Sequence, residues 1–297
     1  MKKSLTYATL LAGTAFSLFS CQKVNSVQED LEEKKHKNKE LCLISSFSYS
    51  NSAVPLQTIF TNRYDLAGRS LEVEAGVFSG GAIVANKPFN IKWASNGLAF
   101  LDANSLSDTV LIAYFDRKGR VEKISAGNAP SQDFLPTTFQ YSNNRLSSMG
   151  ITLAGNVLMS YFDYDQNGNI VSISDAPTTS VPNPGKVEYV YATNEKAKQQ
   201  FYFDEPRKFS WNSFTLLQYV GLFPELEPVN LRTSTKVNWG NNYQAYYMNI
   251  TNHQLDQSGK LLNYDIVSPG NGTTISRYNI NWTCGNQSLV NAAGNFQ

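Results

Sequence analysis

The sequence predicts an all-β, antiparallel protein, a meander of many hairpins that curls toward a barrel or half-barrel. Short runs that alternate apolar or aromatic residues with polar ones dominate residues 41–284, and Asn, Gly, Asp, Ser and Pro separate them. The 17 Phe, 16 Tyr and 4 Trp supply a large core, because a chain of this length buries most of its unfolded surface. Strands do not alternate with helical patterns, so a parallel sheet is not expected.

A hairpin motif recurs along the chain. Residues 161–173 read YFDYDQNGNIVSI, and related segments are YFDRKGRVEKI at 114–124, RYDLAGRSLEV at 63–73 and, more weakly, QLDQSGKLL at 254–262. In each, an Asp can accept hydrogen bonds from backbone amides just after it, and a Gly can adopt positive φ. Each copy therefore predicts a strand, a tight turn and a second strand. The segments resemble the YD-type (RHS-like) repeats of many secreted and surface proteins.

Ten alternating runs are predicted as individual strands, and one segment interrupts the pattern. The predicted strands are 43–49, 57–64, 89–93, 109–115, 137–141, 157–164, 186–191, 199–203, 243–250 and 276–282. Residues 209–221 instead place apolar side chains along one helical stripe, with Gly221 suited to end a helix and Pro224 unable to continue it. We expect a short helix there, either covering one face or end of the sheet or acting as a plug or lid over a pocket.

The N-terminus has the pattern of an exported lipoprotein. Lys2 and Lys3 precede an apolar run at 5–19 that is too short for a comfortable transmembrane helix, so residues 1–20 are predicted to be a signal peptide. The run ends in Leu-Phe-Ser-Cys, which resembles a bacterial lipobox, and Cys21 is the predicted lipidation site. The alternative is ordinary secretion with Cys21 as a spare thiol.

The remaining boundaries follow from composition. Residues 21–40 are rich in Glu, Lys and Asn and contain too few apolar residues to fold alone, so they are predicted to be a flexible charged tether. Residues 41–284 form a single predicted β domain, and 285–297 a polar C-terminal tail.

Two cysteines remain once Cys21 is assigned to the lipid. Cys42 and Cys284 stand at opposite ends of the predicted domain, in an exported chain where disulfides form. A bond between them would bring the first strand beside the last and favour a sheet that closes, which removes exposed edges. Two buried free thiols are the alternative.

These features together resemble Bacteroidota-type envelope lipoproteins of uncharacterised function. The resemblance rests on the lipobox ending at Cys21, the charged tether, the opening Cys42, the repeated turns, and the closing YNINWTC at 278–284. It implies a porin-like or meandering β-fold and a lipid-anchored location in the cell envelope, at the outer membrane. It implies no activity and no catalytic residues.

One repeat matches the first part of a calcium loop. Asp163, Asp165 and Asn167 alternate and are followed by Gly168, so their oxygens could converge on one hard cation. The twelfth position, where a bidentate Glu belongs, is Ser174, and the neighbouring segments alternate as strands instead of helices. Whether these residues bind calcium or only form a turn stays open.

Enzyme chemistry has little support in the sequence. Carboxylate pairs suited to a glycoside hydrolase occur in close spacing, but such pairs also serve solubility on surface strands. The two histidines, His36 and His253, are too few for a zinc site, and no cofactor is expected. A formal net charge of +1 without a basic stripe makes nucleic acid an unlikely partner. The carboxylate pairs are Glu72/Glu74, Asp163/Asp165, Asp204/Glu205 and Glu225/Glu227.

The sequence therefore predicts a lipid-anchored envelope protein that acts as a non-enzymatic binding module for a glycan, a peptide or an envelope partner. A structural scaffold or adhesin-like role is the first alternative, and a carboxylate-pair hydrolase is the second. Aromatic residues that could stack on sugars or anchor an interface are Trp93, Trp239, Tyr243, Tyr246, Tyr247 and Trp282. Packing of such rings in the core is the competing interpretation.

Overall fold

The structure is a computed structural model. It describes residues 42–51, 55–65, 68–79, 82–128, 135–177, 185–202, 216–238, 240, 246–269 and 273–284, and only the backbone at 77–79, 82–85, 225 and 246. The predicted signal peptide, Cys21, the tether and the C-terminal tail lie outside the described residues.

Sixteen antiparallel strands form one closed barrel, which confirms the predicted fold class. Each strand pairs with its neighbours in sequence, and the last strand pairs with the first. The strands are β1 (Cys42–Asn51), β2 (Gln57–Tyr64), β3 (Ser70–Ser79), β4 (Ala82–Ala94), β5 (Gly97–Asp102), β6 (Ser105–Phe115), β7 (Val121–Ala126), β8 (Thr137–Ser142), β9 (Arg145–Leu153), β10 (Asn156–Tyr164), β11 (Ile170–Asp175), β12 (Lys186–Lys196), β13 (Asn230–Asn238), β14 (Tyr246–Leu255), β15 (Leu261–Val267) and β16 (Thr274–Cys284).

The seam between β1 and β16 closes the barrel. Its register runs from Cys42 opposite Cys284 to Asn51 opposite Ser276, and the two cysteines form a disulfide. Closure leaves neither the first nor the last strand as a free edge, so the backbone groups that an open sheet would expose are paired.

The two ends of the barrel differ in what they hold. Odd-numbered strands start at the end that contains Cys42 and Cys284, which we call the proximal end. Even-numbered strands start at the opposite end, the distal rim. All four repeated Asp-Gly turns lie at the proximal end, because each connects an even-numbered strand to the odd-numbered one after it.

The strands bury one face inside the barrel and expose the other. Among the described residues, the inner face holds most of the apolar core, including Phe47, Phe60 and Tyr264, none of which is exposed. The outer face carries charged side chains such as Lys123 on β7 and Glu188 on β12. The alternation of side chains along each strand produces this division, as the sequence pattern predicts.

The long connection between β12 and β13 spans residues 197–229, and we call its described parts, 197–202 and 216–229, the insert. Its Phe201 lies 5.1 Å from the ring of Phe47 on β1, and its Phe223 lies 5.1 Å from Phe139 on β8. In a ring of sixteen strands, β1 and β8 stand nearly opposite each other. The described parts of the insert therefore pack inside the barrel against opposite sides of its inner wall.

The predicted strand at 199–203 is wrong for its described residues. Gln199 forms a single parallel bridge with Lys260, and residues 200–202 then turn inward with the insert. An alternating run needs a neighbouring edge to pair along its length, and the closed barrel offers none there.

The predicted helix is present as one short turn. Residues 216–219 are helical, while 209–215 lie outside the described residues. The turn ends at Gly221, which has φ +79°, where Leu222 N donates to Leu217 O at 3.0 Å and Gly221 N to Gln218 O at 2.9 Å. This pair of bonds is a Schellman cap and explains the glycine. A single 3₁₀ turn follows at Pro224–Leu226.

The four repeated turns close in the same way. The amide of Asp116 donates to the carbonyl oxygen of Arg120 at 2.8 Å, and the amide of Gly119 donates back to the Asp116 carbonyl at 3.0 Å. The Asp116 carboxylate accepts the amide of Arg120 at 3.0 Å. Equivalent backbone bonds form in the other three turns, whose glycines also have positive φ. The angles are +77° at Gly68, +76° at Gly119, +98° at Gly168 and +86° at Gly259.

We expect Gly119→Ala to lower the free energy of unfolding by about 1 kcal/mol, because an L-residue at φ +76° is strained. A Cβ atom at this position meets nothing within 4 Å, so the loss reports the backbone conformation alone. Chemical denaturation measures it, and Lys118→Ala in the same turn is the matched control. Equal stability of the two variants would contradict the assignment.

Candidate functional site

The candidate calcium loop is a turn in which both carboxylate oxygens of Asp165 accept hydrogen bonds from within the turn. Asp165 Oδ1 accepts the amide of Asn169 at 2.9 Å, and Asp165 Oδ2 accepts the Asn169 side-chain amide at 2.8 Å. Asp163 lies on the exposed face of β10 and accepts Ser172 Oγ at 2.6 Å. The same turn forms at Asp116, which lacks the additional oxygens, so the backbone geometry does not depend on a cation.

Asn169 also fixes the end of the insert. Its buried side chain accepts the amides of Val229 at 2.7 Å and Asn230 at 3.0 Å, and its amide nitrogen donates to Asn230 Oδ1 at 3.1 Å. Asn169 therefore links the turn between β10 and β11 to the end of the insert, where β13 begins. These contacts assign Asn169 a structural role.

The turn carboxylates are held ionised. Burial opposes ionisation of Asp116, but hydrogen bonds from the side chain and amide of Arg120 outweigh it and lower the pKa of Asp116. Burial likewise opposes ionisation of Asp165, and hydrogen bonds from Asn169 lower its pKa. Carboxylates that must remain ionised at neutral pH are suited to capping turns and unsuited to acid catalysis.

The paired carboxylates of the sequence do not form a described catalytic pair. Glu72 on β3 bonds to Arg63 on β2, and Glu74 is exposed on the same strand. Asp204 and Glu205 lie outside the described residues. Glu227 is the described carboxylate whose pKa is raised, and that shift has no contribution from another described carboxylate.

The two ends of the insert are joined by hydrogen bonds from Gln200 to Glu227 and Pro228. The amide of Gln200 donates to Glu227 Oε1 at 2.7 Å, and Gln200 Nε2 donates to the carbonyl oxygen of Pro228 at 2.5 Å. Burial raises the pKa of Glu227 to about 7, while the hydrogen bond from the Gln200 amide acts in the opposite direction. Glu227 is therefore partly protonated at neutral pH, although its side chain as a whole keeps contact with solvent.

We expect Glu227→Gln to change the pH dependence of stability. The folded pKa of about 7 exceeds the unfolded value of 4.5, so the wild type loses stability as pH rises between these values and levels off above them. The amide cannot ionise, so the variant gains on the wild type from pH 4 to pH 8. Solvent screening limits the gain to about 1 kcal/mol, or about 2–4 °C in Tm. Thermal melts across this range measure it, with Glu122→Gln on β7 as the control. Parallel profiles for Glu227→Gln and the wild type would contradict it.

A buried arginine holds the first part of the insert. Arg232 on β13 is 4% exposed, and its guanidinium carbon lies 4.2 Å from the ring centroid of Tyr189 and 4.8 Å from that of Tyr202. Tyr202 Oη accepts the amide of Arg232 at 3.0 Å, and burial raises the pKa of Tyr202. Cation–π contacts in such a desolvated place contribute about 2 kcal/mol each. The group binds the insert to the inner wall.

Aromatic side chains near the proximal ends of even-numbered strands bond to the preceding strand. Trp93 Nε1 donates to the carbonyl oxygen of Ser70 at 2.7 Å, and Trp282 Nε1 donates to that of Leu261 at 2.7 Å. Both indole N–H groups thus link adjacent strands through hydrogen bonds. Four tyrosines bond in the same way, namely Tyr64 to Ile44, Tyr141 to Val121, Tyr164 to Leu146 and Tyr191 to Ile170.

The predicted aromatic platform is only partly described. Trp93 and Trp282 serve the strand contacts above. Tyr247 on β14 is half exposed, with Lys236 Nζ 5.5 Å from its ring centroid. Trp239 and Tyr243 lie outside the described residues, and the side chain of Tyr246 is not described.

Within the part of the chain that the structure describes, no three His, Cys, Asp or Glu residues cluster as metal ligands. No helix in that part is long and apolar enough to cross a membrane.

Comparison with solved structures identifies the same fold elsewhere. A porin-like protein from Bacteroides uniformis ATCC 8492 is 16% identical, with a TM-score of 0.58 over 82% of this chain and 98% of that one. A porin-like protein from Bacteroides vulgatus ATCC 8482 is 12% identical, with a TM-score of 0.50 over 82% of this chain and 99% of that one. The likeness is one of fold. No protein-family model matches the sequence, and the comparison with curated proteins finds no match.

Proposed function

We propose that this chain is a lipid-anchored protein of the cell envelope that acts by non-enzymatic binding, with a sealed barrel that conducts no solute. The observation that carries the proposal is the polarity of the barrel. A strand-spanning membrane barrel has an apolar outer band and a polar interior, whereas this barrel has a packed apolar interior and a charged outer face.

The outer wall supports a barrel surrounded by water. Glu188 on β12 pairs with Lys186 at 2.9 Å and with Lys236 on β13 at 3.4 Å, toward the distal ends of these strands. Arg277 on β16 pairs with Asp265 on β15 at 2.7 Å. A Lys or Arg on a lipid-facing wall would cost about 2–4 kcal/mol at the bilayer midplane and less near its edges. The lipid on Cys21 therefore supplies the membrane attachment in this proposal.

The aromatic packing inside the barrel supports a binding role for its outer surfaces. Phe60 stacks on Tyr219 of the insert with ring centroids 3.9 Å apart, and Phe47, Phe60 and Phe201 pack together beside them. These described residues of the insert thus pack inside the barrel, where a transported solute would have to pass. A binding role then falls to the outer wall, the connections and the distal rim.

We expect Cys21→Ser to move the protein from the membrane fraction to the soluble fraction, because the lipid is the proposed attachment. Fractionation of cells that express the full chain, with labelling by a radioactive fatty acid, measures both attachment and lipidation. Wild type and the matched variant Ser20→Ala, which retains a small residue beside Cys21, should stay in the membrane fraction. Wild-type protein should not raise solute permeability when reconstituted in liposomes.

Two results would contradict the proposal. Retention of Cys21→Ser in the membrane after carbonate extraction would show that the strands themselves hold the protein there. Solute flux through reconstituted wild-type barrels would show an open interior.

A structural scaffold is the second candidate, and the packed apolar core of the described residues favours it. A scaffold uses its barrel only as a rigid body, and the packed insert and closed seam are suited to that role. The two candidates differ in whether a specific surface is used by a ligand.

A further inference from the structure

Tyr161 is an exposed aromatic residue midway along β10, on the outer face of the barrel. Its side chain is 46% exposed. Two other tyrosines on the outer wall each lie beside a cation. Lys123 Nζ is 5.3 Å from the ring centroid of Tyr114, and Lys236 Nζ is 5.5 Å from that of Tyr247. Tyr161 makes no such contact with any described residue, so its ring is available to a ligand.

Tyr161 belongs to a polar row that crosses four strands. Gln140 on β8 pairs with Ser148 on β9. Tyr161 pairs with Ser148 on one side and with Ser174 on β11 on the other. Cross-strand partners share a face of the sheet, so all four side chains lie on the outer wall.

Three hydrogen-bonding groups in this row are open to a ligand. Ser148 Oγ donates to Gln140 Oε1 at 3.1 Å, which holds the Gln140 side chain in place. In the part of the chain that the structure describes, the NH₂ group of Gln140 and the hydroxyls of Tyr161 and Ser174 make no hydrogen bond. An amide NH₂ donates and a hydroxyl both donates and accepts, so the row can bind hydroxyl groups of a ligand.

A shallow apolar surface continues from Tyr161 toward the start of β10. Val157, which is 55% exposed, and the half-buried Met159 share its face, because alternate residues of a strand point the same way. A Cβ atom on Gly150 of β9 would lie 2.8 Å from Met159 Sδ and 3.1 Å from Val157 Cγ1. Both side chains therefore lie over the glycine and form a low surface beside Tyr161.

These side chains form one small surface without a charged member, which we call the Tyr161 patch. Its residues are Gln140, Ser148, Val157, Met159, Tyr161 and Ser174. Charged residues border it, namely Asp163 on β10 and Lys186 on β12, which pairs with Ser174. Four strands spaced about 4.8 Å apart and a length of four residues give the patch an area of at most about 300 Å².

The size, the composition and the closed sheet together favour a short sugar chain as the ligand. A stable protein–protein contact takes about 800 Å² from each partner, and Ser is depleted in such contacts. An extended peptide that adds a strand needs a free sheet edge, whereas each of the sixteen described strands is paired on both sides. A sugar has apolar C–H faces that stack on exposed rings and hydroxyl groups that meet uncharged polar side chains.

We propose that the Tyr161 patch binds a neutral oligosaccharide. The Tyr161 ring stacks on one sugar, and Met159 and Val157 contact the next. Gln140 and Ser174 hydrogen-bond to the sugar hydroxyls. The inference rests on the proposed function, because it assigns a class of ligand to the outer wall of a barrel that acts by binding. No ion pair forms in this contact, so binding is insensitive to salt.

The test measures retention of the full, lipidated chain, held in detergent, on an array of immobilised neutral glucans, mannans, xylans and galactans. We expect the wild type to bind at least one of them, equally at low and high salt. Tyr161→Ala should weaken this binding at least about tenfold, because a central aromatic anchor carries much of a contact. Tyr161→Phe keeps the ring and should lose less. Tyr247→Ala, the matched control on the outer wall, should bind like the wild type.

A second variant tests the polar row. Ser174→Ala should weaken binding about two- to tenfold, because it removes one hydrogen bond to the ligand and none within the protein. Tyr161→Ala and Ser174→Ala should both remain in the membrane fraction and melt close to the wild type, since neither residue lies in the core. Loss of sugar binding is thereby separated from loss of anchoring or folding.

Four results would overturn the inference. Folded wild type that binds no neutral glycan would mean that the patch has no such ligand, and equal binding by Tyr161→Ala would place the sugar elsewhere. Retention on acidic glycans alone would contradict the neutral class. A photo-crosslinking amino acid at position 161 that joins the chain to another protein in cells, without competition by neutral glycans, would assign the patch to a protein partner. The proposed function fails separately, through the behaviour of Cys21→Ser in fractionation.

Discussion

Loss of the Cys42–Cys284 disulfide should lower the free energy of unfolding by up to about 5 kcal/mol. The bond joins residues 242 positions apart, and the chain-entropy relation gives roughly that value for a loop of this length. The double variant Cys42→Ser/Cys284→Ser should therefore melt about 10–20 °C below the wild type, as measured by circular dichroism. The seam itself should stay closed at 25 °C, because β1 and β16 pair along most of their length.

The control separates loss of the bond from loss of the sulfur atoms. Wild-type protein reduced and alkylated in denaturant, then refolded, should match the double variant, whereas Cys21→Ser should melt like the wild type. Melting temperatures within 2 °C of each other for oxidised wild type and the double variant would show that the bond does not stabilise the fold.

Phe60→Ala should cost about 3–5 kcal/mol, the second large effect. The Phe60 ring is fully buried on β2 and touches the rings of Phe47 on β1 and of Tyr219 and Phe201 in the insert. Truncation leaves a cavity where the wall and the insert meet, and the surrounding structure relaxes only partly to fill it. Denaturant unfolding gives the free energy. Hydrogen exchange should show faster exchange at 216–223 than in β10, because the insert loses its main contact.

Thr58→Ala is the matched control on the same strand. Thr58 is exposed, so its truncation should change stability by no more than about 0.5 kcal/mol. If Phe60→Ala destabilises no more than Thr58→Ala, or if exchange rises equally in the insert and in β10, the insert is not held through Phe60.

The sequence predicts the wall better than it predicts the interior. Alternation and the Asp-Gly turns are local signals, and they identify β1 and every even-numbered strand among the predicted runs. The repeated turns also predict β3, β7, β11 and β15 as the second strand of each hairpin, whereas neither signal identifies β5, β9 and β13. Strands such as β13 (NLRTSTKVN) carry polar residues between the apolar ones and no aromatic, so their pattern is weaker.

The insert depends on contacts that no local pattern contains. Phe60 and Tyr219 are far apart in sequence, and the stripe at 209–221 indicates a buried helical face without indicating what covers it. The strand predicted at 199–203 fails for the same reason, because its alternation reflects packing inside the barrel. The sequence offers Trp93 and Trp282 as candidates for a binding platform with core packing as the alternative, and their indole nitrogens hydrogen-bond to neighbouring strands.

The location of the distal connections could be predicted only in part. The Pro-, Gly- and Asn-rich connections are visible in the sequence, but their common location follows from the closed antiparallel order of the strands. Val157 and Ile275 are far apart in sequence, and only the strand order shows that both lie near the distal starts of even-numbered strands.

The side-chain bonds from tyrosine and tryptophan near the ends of alternate strands have a consequence for how such a chain can change length. Each of these rings donates a hydrogen bond from its own strand to the strand before it. A duplicated pair of strands would therefore carry its own stabilising hydrogen bond. The circumference could then grow or shrink in steps of two without disturbing the inward and outward order of neighbouring side chains. Gene duplication of single hairpins is thus a physically easy route to wider or narrower relatives of this fold.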